Sequence, residues 1–218
     1  MAHGTRDPQG VAAQHALLAA VRAERPGLTC ELAFLDHAVP SPAEVLAGLR
    51  GSAVLVPLLL GTGFHLRVDL PAAAAAAPHL RVRVAGPLGP DPLLAEALHG
   101  RLAEAGGPAD AVVLAAAGST DPAGNADAAR MAELLGERLG RPVTAAYLCA
   151  AGPSPAEAVA ALRAAGHRRV AVAPYLLAPG FFARRAGRSG GCLTAAPLGA
   201  HRELARLVLA RYDQAPPD

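Results

Sequence analysis

Two histidines and an aspartate stand where their side chains could bind a metal ion together. His3 lies in the segment Ala-His-Gly-Thr-Arg-Asp-Pro, and His65 ends the segment Pro-Leu-Leu-Leu-Gly-Thr-Gly-Phe-His. Between them, Asp36 ends the apolar segment Phe-Leu-Asp. Two imidazoles and a carboxylate suit a divalent metal of intermediate softness. The residue types therefore predict metal chemistry in the first half of the chain.

The chain carries an internal repeat. Residues 34–44 and 147–157 follow one pattern 113 positions apart, and both end in Pro-Ser-Pro-Ala-Glu. Three further blocks keep the same order, pairing residues 2–8 with 116–122, 57–65 with 174–182, and 87–89 with 197–199. Four blocks in register indicate a duplicated unit.

The second copy lacks the three candidate residues. It has Ala117, Cys149 and Phe182 at the positions of His3, Asp36 and His65, while the surrounding glycines and prolines persist. A lone histidine is more often a turn or surface residue than a ligand. Three reactive positions that change together favour function over that bland interpretation. The repeat thus predicts one active lobe and one supporting lobe.

Each half alternates short apolar runs with helical segments. In the second half, strands are predicted at residues 111–116, 143–148, 170–176 and 192–195, and helices at residues 125–139, 155–165 and 202–212. Continuous apolar strands separated by helices are typical of a parallel sheet covered on both faces. We therefore predict an α/β fold of two repeated lobes, residues 1–106 and 107–218, each with a four-stranded, parallel, doubly wound sheet.

The predicted sheet brings the candidate residues together. In open parallel sheets, ligands bind beyond the carboxyl ends of the strands. His3, Asp36 and His65 follow the first three strands of the first lobe, so they should converge at one edge. His37 adjoins Asp36, but a successive residue at a strand end usually points elsewhere. We therefore predict no role for His37.

The first strand of the first lobe is shortened. Six apolar residues, 111–116, precede Ala117, whereas only Met1 and Ala2 precede the equivalent His3. This comparison predicts that a strand of about six residues is missing. The first strand is central in doubly wound sheets, and unpaired buried backbone groups are costly. We therefore expect the natural protein to begin upstream with an apolar strand.

Composition excludes several classes of function. The net charge of +2 gives no reason to expect nucleic-acid binding, which is normally marked by a clustered basic stripe. The apolar runs are short and interrupted, so no membrane span is predicted. Three cysteines without CxxC spacing argue against a disulfide framework and favour a reducing cytoplasm.

Taken together, the motifs resemble the sirohydrochlorin chelatase family, the class II chelatases of sirohaem and cobalamin biosynthesis, in its long bilobal form. The resemblance is carried by the segments around His3, Asp36 and His65, with Asp69 and Pro71 downstream. It implies that His3 and His65 bind the metal. It also implies insertion of Co²⁺ or Fe²⁺ into sirohydrochlorin, with two protons released and no nucleotide. The family commonly has Glu where this chain has Asp36.

The resemblance also implies a substrate with many carboxylates, which planar arginine side chains would bind. Four candidates are predicted in the strand-end loops: Arg6, Arg67, Arg184 and Arg185. For any single arginine, a solvated surface position is the competing interpretation. Asp36 would orient a histidine or accept a proton. A monomer is expected because one chain holds both lobes, and a non-catalytic carrier of metal or tetrapyrrole remains an alternative.

Overall fold

The elements of the chain alternate between helices and parallel strands. The structure, a computed structural model, describes residues 1–63 and 65–216, and at His65 the backbone only. The first half contains α1 (Pro8–Glu24), α2 (Pro42–Ala47), β1 (Gly51–Leu55), a π-helix (His65–Asp69), α3 (Leu70–Ala75), β2 (Leu80–Val84) and α4 (Pro92–Ala105). The second half contains β3 (Ala111–Ala116), α5 (Pro122–Leu139), β4 (Val143–Tyr147), α6 (Pro155–Ala164), β5 (Val170–Tyr175), α7 (Phe181–Ala186), β6 (Leu193–Thr194) and α8 (Arg202–Asp213).

The second lobe has the predicted sheet. Its four strands are parallel, in the order β4-β3-β5-β6. All residues of β3 and β5 are buried, as expected for central strands with a helix layer on each face. The α/β fold of repeated parallel sheets is thereby confirmed.

In the first lobe, two of the four predicted strands form a continuous sheet within the described residues, because the first strand is reduced to isolated bridges at Ala2. β1 pairs with β2 in parallel, and Ala2 forms isolated parallel bridges to Phe34 and Leu58. In the second lobe, Ala116 at the end of β3 pairs with the equivalent residues Tyr147 and Tyr175. Met1 and Ala2 therefore match the last two residues of the six-residue β3. The first four residues of β3 therefore have no counterpart in the first lobe, rather than the six that the sequence suggested.

An apolar groove lies ahead of Met1, between residues 29–33 and residues 52–56. We call it the strand groove. It encloses about 580 Å³. At its end, the Met1 amino group donates a hydrogen bond of 2.8 Å to the Val56 carbonyl oxygen. Burial lowers the pKa of that amine to about 5, because the charged form loses its hydration. The two flanking segments are the counterparts of strands that β3 joins in the second lobe.

Helix starts follow local signals that are visible in the sequence. Ser154 and Glu157 form a reciprocal capping box at α6, and Ser41 and Glu44 do the same at α2. The Asp121 side chain accepts a hydrogen bond from the Ala123 backbone N–H at the start of α5. The helix start predicted at residue 155 is confirmed, whereas α5 begins at Pro122, three residues before the predicted 125, because Asp121 caps its first turn. Among the helices described, none is both long and apolar enough to cross a membrane.

The last helix of each half packs on the other half. α4 contacts α5, β5 and β6 of the second half, and α8 contacts α1 of the first half. Two arginines at equivalent repeat positions form hydrogen bonds from these helices to the other half. Arg101 of α4 donates to the Leu198 carbonyl oxygen at 2.8 Å, and Arg211 of α8 donates to the Leu88 carbonyl oxygen at 2.9 Å. The two lobes are therefore interlocked by exchanged helices.

Candidate functional site

A cleft between the lobes lies at the carboxyl ends of the strands. It encloses about 990 Å³, at the upper end of the range for small-molecule sites. Its lining comes from equivalent loops of the two lobes, residues 3–6 and 58–63 in the first and residues 116–120 and 175–183 in the second. Both lobes thus line one cleft.

His3 and Asp36 come together at the first-lobe side of the cleft. The Asp36 backbone N–H donates to the His3 carbonyl oxygen at 2.8 Å. Gly4 permits this approach, because a Cβ there would lie 1.8 Å from the Asp36 carbonyl oxygen. Gly4 also has φ of 97°, which favours glycine. Convergence of the first two strand ends was predicted from the sequence, and the structure shows it.

His37 completes a cluster with these two residues. One oxygen of the Asp36 carboxylate accepts a hydrogen bond from the His37 backbone N–H at 2.7 Å. The other oxygen lies 3.2 Å from Nε2 of the His37 ring. The ring centroids of His37 and His3 are 6.1 Å apart, with their planes tilted. We call these three residues the His3 cluster.

The prediction that His37 points elsewhere was wrong. His37 has φ of 62°, and its repeat counterpart Ala150 has φ of 59°. A left-handed residue at the strand end breaks the alternation of an extended chain. The turn therefore returns the His37 side chain to Asp36 and the cleft. Sequence reasoning missed it because neither histidine nor alanine marks a left-handed position as glycine does.

His65 lies next to the cleft in the chain. The backbone of residues 61–63 lines the cleft, and a π-helix begins at His65. The predicted loop is thus helical from this residue onward. The side chain of His65 lies outside the described part of the structure, so its pairing with His3 stays a prediction. Within residues 1–63 and 66–216, no three side chains of His, Cys, Asp or Glu form a metal-binding group.

The four candidate arginines fall into two classes. Arg6 is exposed and lines the cleft. Arg67 lies in the π-helix, and Arg184 and Arg185 lie in α7. The prediction that they occupy loops was therefore wrong for these three. The reason is that both segments following the third strands wind into short helices.

Arg67 and Arg184 form reciprocal ion pairs between the lobes. Arg184 Nη1 lies 2.7 Å from the Asp7 carboxylate, and Arg67 pairs with Asp121. The two arginines are repeat counterparts, as are the two aspartates. Hydrogen bonding by Arg184 lowers the pKa of Asp7. The pKa of Asp121 is lowered first by the Ala123 backbone N–H and then by Arg67. Exposed pairs of this kind contribute little to stability, because solvent screens them.

Comparison with known proteins assigns the family. The family model described as CbiX matches residues 1–105 and again residues 111–215. The chain belongs to the CbiX family. The double match confirms the internal repeat, and the resemblance to sirohydrochlorin chelatases in their bilobal form is confirmed as well.

Individual relatives and a solved structure are also similar to this chain. The sirohydrochlorin ferrochelatase of Bacillus subtilis is 30% identical over 190 residues, which cover 82% of this chain and 72% of that protein. The sirohydrochlorin cobaltochelatase of Priestia megaterium is 26% identical over 200 residues, 84% of this chain and 64% of that protein. The structure of SirB from Bacillus subtilis with Fe³⁺ is similar, with a TM-score of 0.80 and 26% identity, over 98% of this chain and 92% of that chain.

Proposed function

We propose that this CbiX-family chain inserts a divalent metal ion, Co²⁺ or Fe²⁺, into sirohydrochlorin. The observation that carries the proposal is the His3 cluster at the edge of a two-lobed cleft, in a chain similar to proteins named sirohydrochlorin chelatases. Imidazoles bind both candidate metals, and affinity alone does not separate them. Iron insertion would serve sirohaem synthesis, and cobalt insertion would serve cobalamin synthesis.

The proposed reaction exchanges two protons for one metal ion. His3 and His65 bind the metal substrate as neutral imidazoles and release it to the ring nitrogens. Two pyrrole N–H groups lose their protons, so the charge of the entering divalent ion is balanced. We propose that no nucleotide or other cofactor takes part, since the metal keeps its oxidation state and only protons leave.

We assign proton handling to Asp36 together with His37. The Asp36 carboxylate contacts both the backbone and the ring of His37, and a carboxylate in this position fixes the orientation of an imidazole. Histidine is suited to accept protons near neutral pH. The Asp36–His37 pair, next to His3, would therefore carry pyrrole protons away from the metal site.

Arginines at the cleft are proposed to bind the carboxylates of the tetrapyrrole. Arg6 lines the cleft directly, and Arg185 lies in α7 beside residues that do. Arg67 and Arg184 form ion pairs with Asp121 and Asp7. At these two arginines, a carboxylate of the substrate would take the place of the aspartate carboxylate. We further propose that the protein acts as a monomer in the cytoplasm.

A turnover experiment tests the proposed function. Sirohydrochlorin and Co²⁺ or Fe²⁺ are mixed with the purified chain at one hundredth of the substrate concentration, and the absorbance of the metal-free tetrapyrrole is followed. We expect complete conversion at an initial rate proportional to protein concentration. A carrier would instead change the absorbance by about one equivalent per protein and then stop. That result would show that the protein binds the metal or the tetrapyrrole without catalysing insertion.

Replacing Asp36 by alanine should slow insertion more than it weakens metal binding. The carboxylate contacts His37, and proton-transfer groups contribute about 10²–10⁴-fold to rates. We expect kcat at saturating metal to fall by about 100-fold, while the Kd for Co²⁺ changes by less than about threefold. Steady-state kinetics and Co²⁺ titration measure the two quantities. A normal kcat with a much larger Kd would make Asp36 a metal ligand instead.

A further inference from the structure

We propose that Asp127 of the second lobe is a positioning residue for the loop that leads into His65. The inference rests on the proposed function of this loop as a metal-binding segment. It assigns a specific task to the lobe that lacks the candidate ligands. Asp127 lies in α5, which belongs to the second half of the chain.

The contact between the lobes is direct and involves two donors. The backbone N–H of Thr62 donates to Asp127 Oδ2 at 2.6 Å, and the Thr62 hydroxyl donates to the same oxygen at 2.7 Å. Hydrogen bonds to a carboxylate are stronger than those between neutral groups. Both donors sit three residues ahead of His65, at the rim of the cleft. Asp127 therefore fixes the backbone of this segment.

A second hydrogen bond holds the same loop. The Tyr175 hydroxyl donates to the Leu60 carbonyl oxygen at 2.7 Å. Tyr175 is buried, and its burial raises the pKa of the phenol, so the donor stays protonated. With Thr62 held by Asp127, the loop is anchored on both sides of Gly61.

The residues at the equivalent repeat positions cannot form the same hydrogen bonds. The counterpart of Asp127 is Ala13, and that of Thr62 is Pro179, which has no backbone N–H. Leu58 stands where the second lobe has Tyr175. The polar anchoring therefore runs in one direction, from the supporting lobe to the segment that leads into His65. By contrast, the Arg67 and Arg184 ion pairs are reciprocal and favour neither lobe.

Close backbone packing accompanies the anchors. A Cβ on Gly61 would lie 3.1 Å from Asp127 Oδ2, and one on Gly124 would lie 2.9 Å from the Thr62 carbonyl oxygen. Glycine at both positions lets α5 approach the loop closely. A loop packed this tightly loses its position when the central carboxylate is removed, and His65 follows it in the chain.

The test compares Asp127→Ala with Asp127→Asn and with Glu137→Ala. Glu137 is an exposed residue of the same helix, so it serves as the matched control. Loss of a group that orients a metal ligand weakens binding by about 10–100-fold. We expect about a tenfold larger Kd for Co²⁺ and a similar rise in the KM for metal in Asp127→Ala. Asp127→Asn should show an intermediate loss, because its amide oxygen still accepts a hydrogen bond. Glu137→Ala should match the unmodified chain.

A double-mutant comparison separates positioning from general stability. Thr62→Val should weaken Co²⁺ binding on its own but add little in the Asp127→Ala background, whereas Thr62→Ser should retain normal binding. Equal melting temperatures across the set would show that the fold is kept. Additive effects of Asp127→Ala and Thr62→Val, or unchanged Kd and KM in Asp127→Ala, would overturn the proposal.

The readouts also separate this inference from the proposed function. If the unmodified chain binds Co²⁺ without converting sirohydrochlorin, the chelatase proposal fails, while the Kd series still supports positioning by Asp127. If every variant converts sirohydrochlorin normally, the positioning role fails and the chelatase proposal stands. Absence of Co²⁺ binding by the unmodified chain would overturn both.

Discussion

His3→Ala should lower the rate of metal insertion by about 100-fold or more, a loss in the range expected for removal of a catalytic imidazole. His3 is exposed at the edge of the cleft, beside His37 and in hydrogen-bonded contact with Asp36 through its backbone. Alanine keeps that backbone contact and leaves no cavity in the core. The melting temperature should therefore stay within about 2 °C of the original, because the expected change in stability is below about 0.5 kcal/mol.

The matched control for His3 is His167→Ala, a change in the turn after α6 of the supporting lobe. It should leave turnover unchanged. His65→Ala is expected to cause a loss similar to that of His3→Ala. Turnover of sirohydrochlorin with saturating Co²⁺, together with a thermal melt, measures these effects. Near-normal turnover in His3→Ala would show that the site lies elsewhere.

Four apolar residues added ahead of Met1 should raise the melting temperature markedly. The segment Ala-Val-Val-Leu, copied from the start of β3, would enter the strand groove between residues 29–33 and 52–56. It would pair with backbone on both sides and replace the buried Met1 amino group by a peptide group. Burial of a large apolar side chain contributes about 1.5–3 kcal/mol, and ordering a residue costs about 1–2 kcal/mol.

With the added strand hydrogen bonds at about 1 kcal/mol each, we expect a net gain of about 2–4 kcal/mol. For a chain of this size, that corresponds to about 5–10 °C. A chain extended by Gly-Ser-Gly-Ser provides the control, since it has the same length without apolar side chains. Equal melting temperatures for the two extended chains would show that the groove does not accept a strand.

Much of the fold was predictable because its signals are local and repeated. The strands of the second lobe are continuous apolar runs, and the helix starts at Asp121 and Ser154 carry side chains that cap the first turn. α7 was not predicted, because Phe181–Ala186 has six residues and begins after glycine without a capping side chain. Short helices of this kind depend on packing that a sequence pattern does not show.

The site was predictable only in part. Residues that follow strands in a parallel sheet must lie at one edge, so the approach of His3 and Asp36 followed from the sequence. The position of His37 beside Asp36 did not, because the left-handed turn at this position is marked by no glycine. Contacts across the cleft, such as Thr62 with Asp127, were also missed. A sequence pattern predicts the strands and helices within each lobe, whereas those contacts depend on how the lobes face each other.

The exchanged helices limit how the two halves of this protein could be separated or combined with halves of other proteins. Since α4 covers strands of the second half and α8 lies against α1 of the first, each half takes part of its helical cover from the other. A fragment cut between the halves would expose apolar surface on both sides of the cut. A chimera that replaces the supporting lobe would need a foreign α8 to fit α1 and to place an arginine on the Leu88 carbonyl oxygen. The two lobes share one fold, but they are not interchangeable modules.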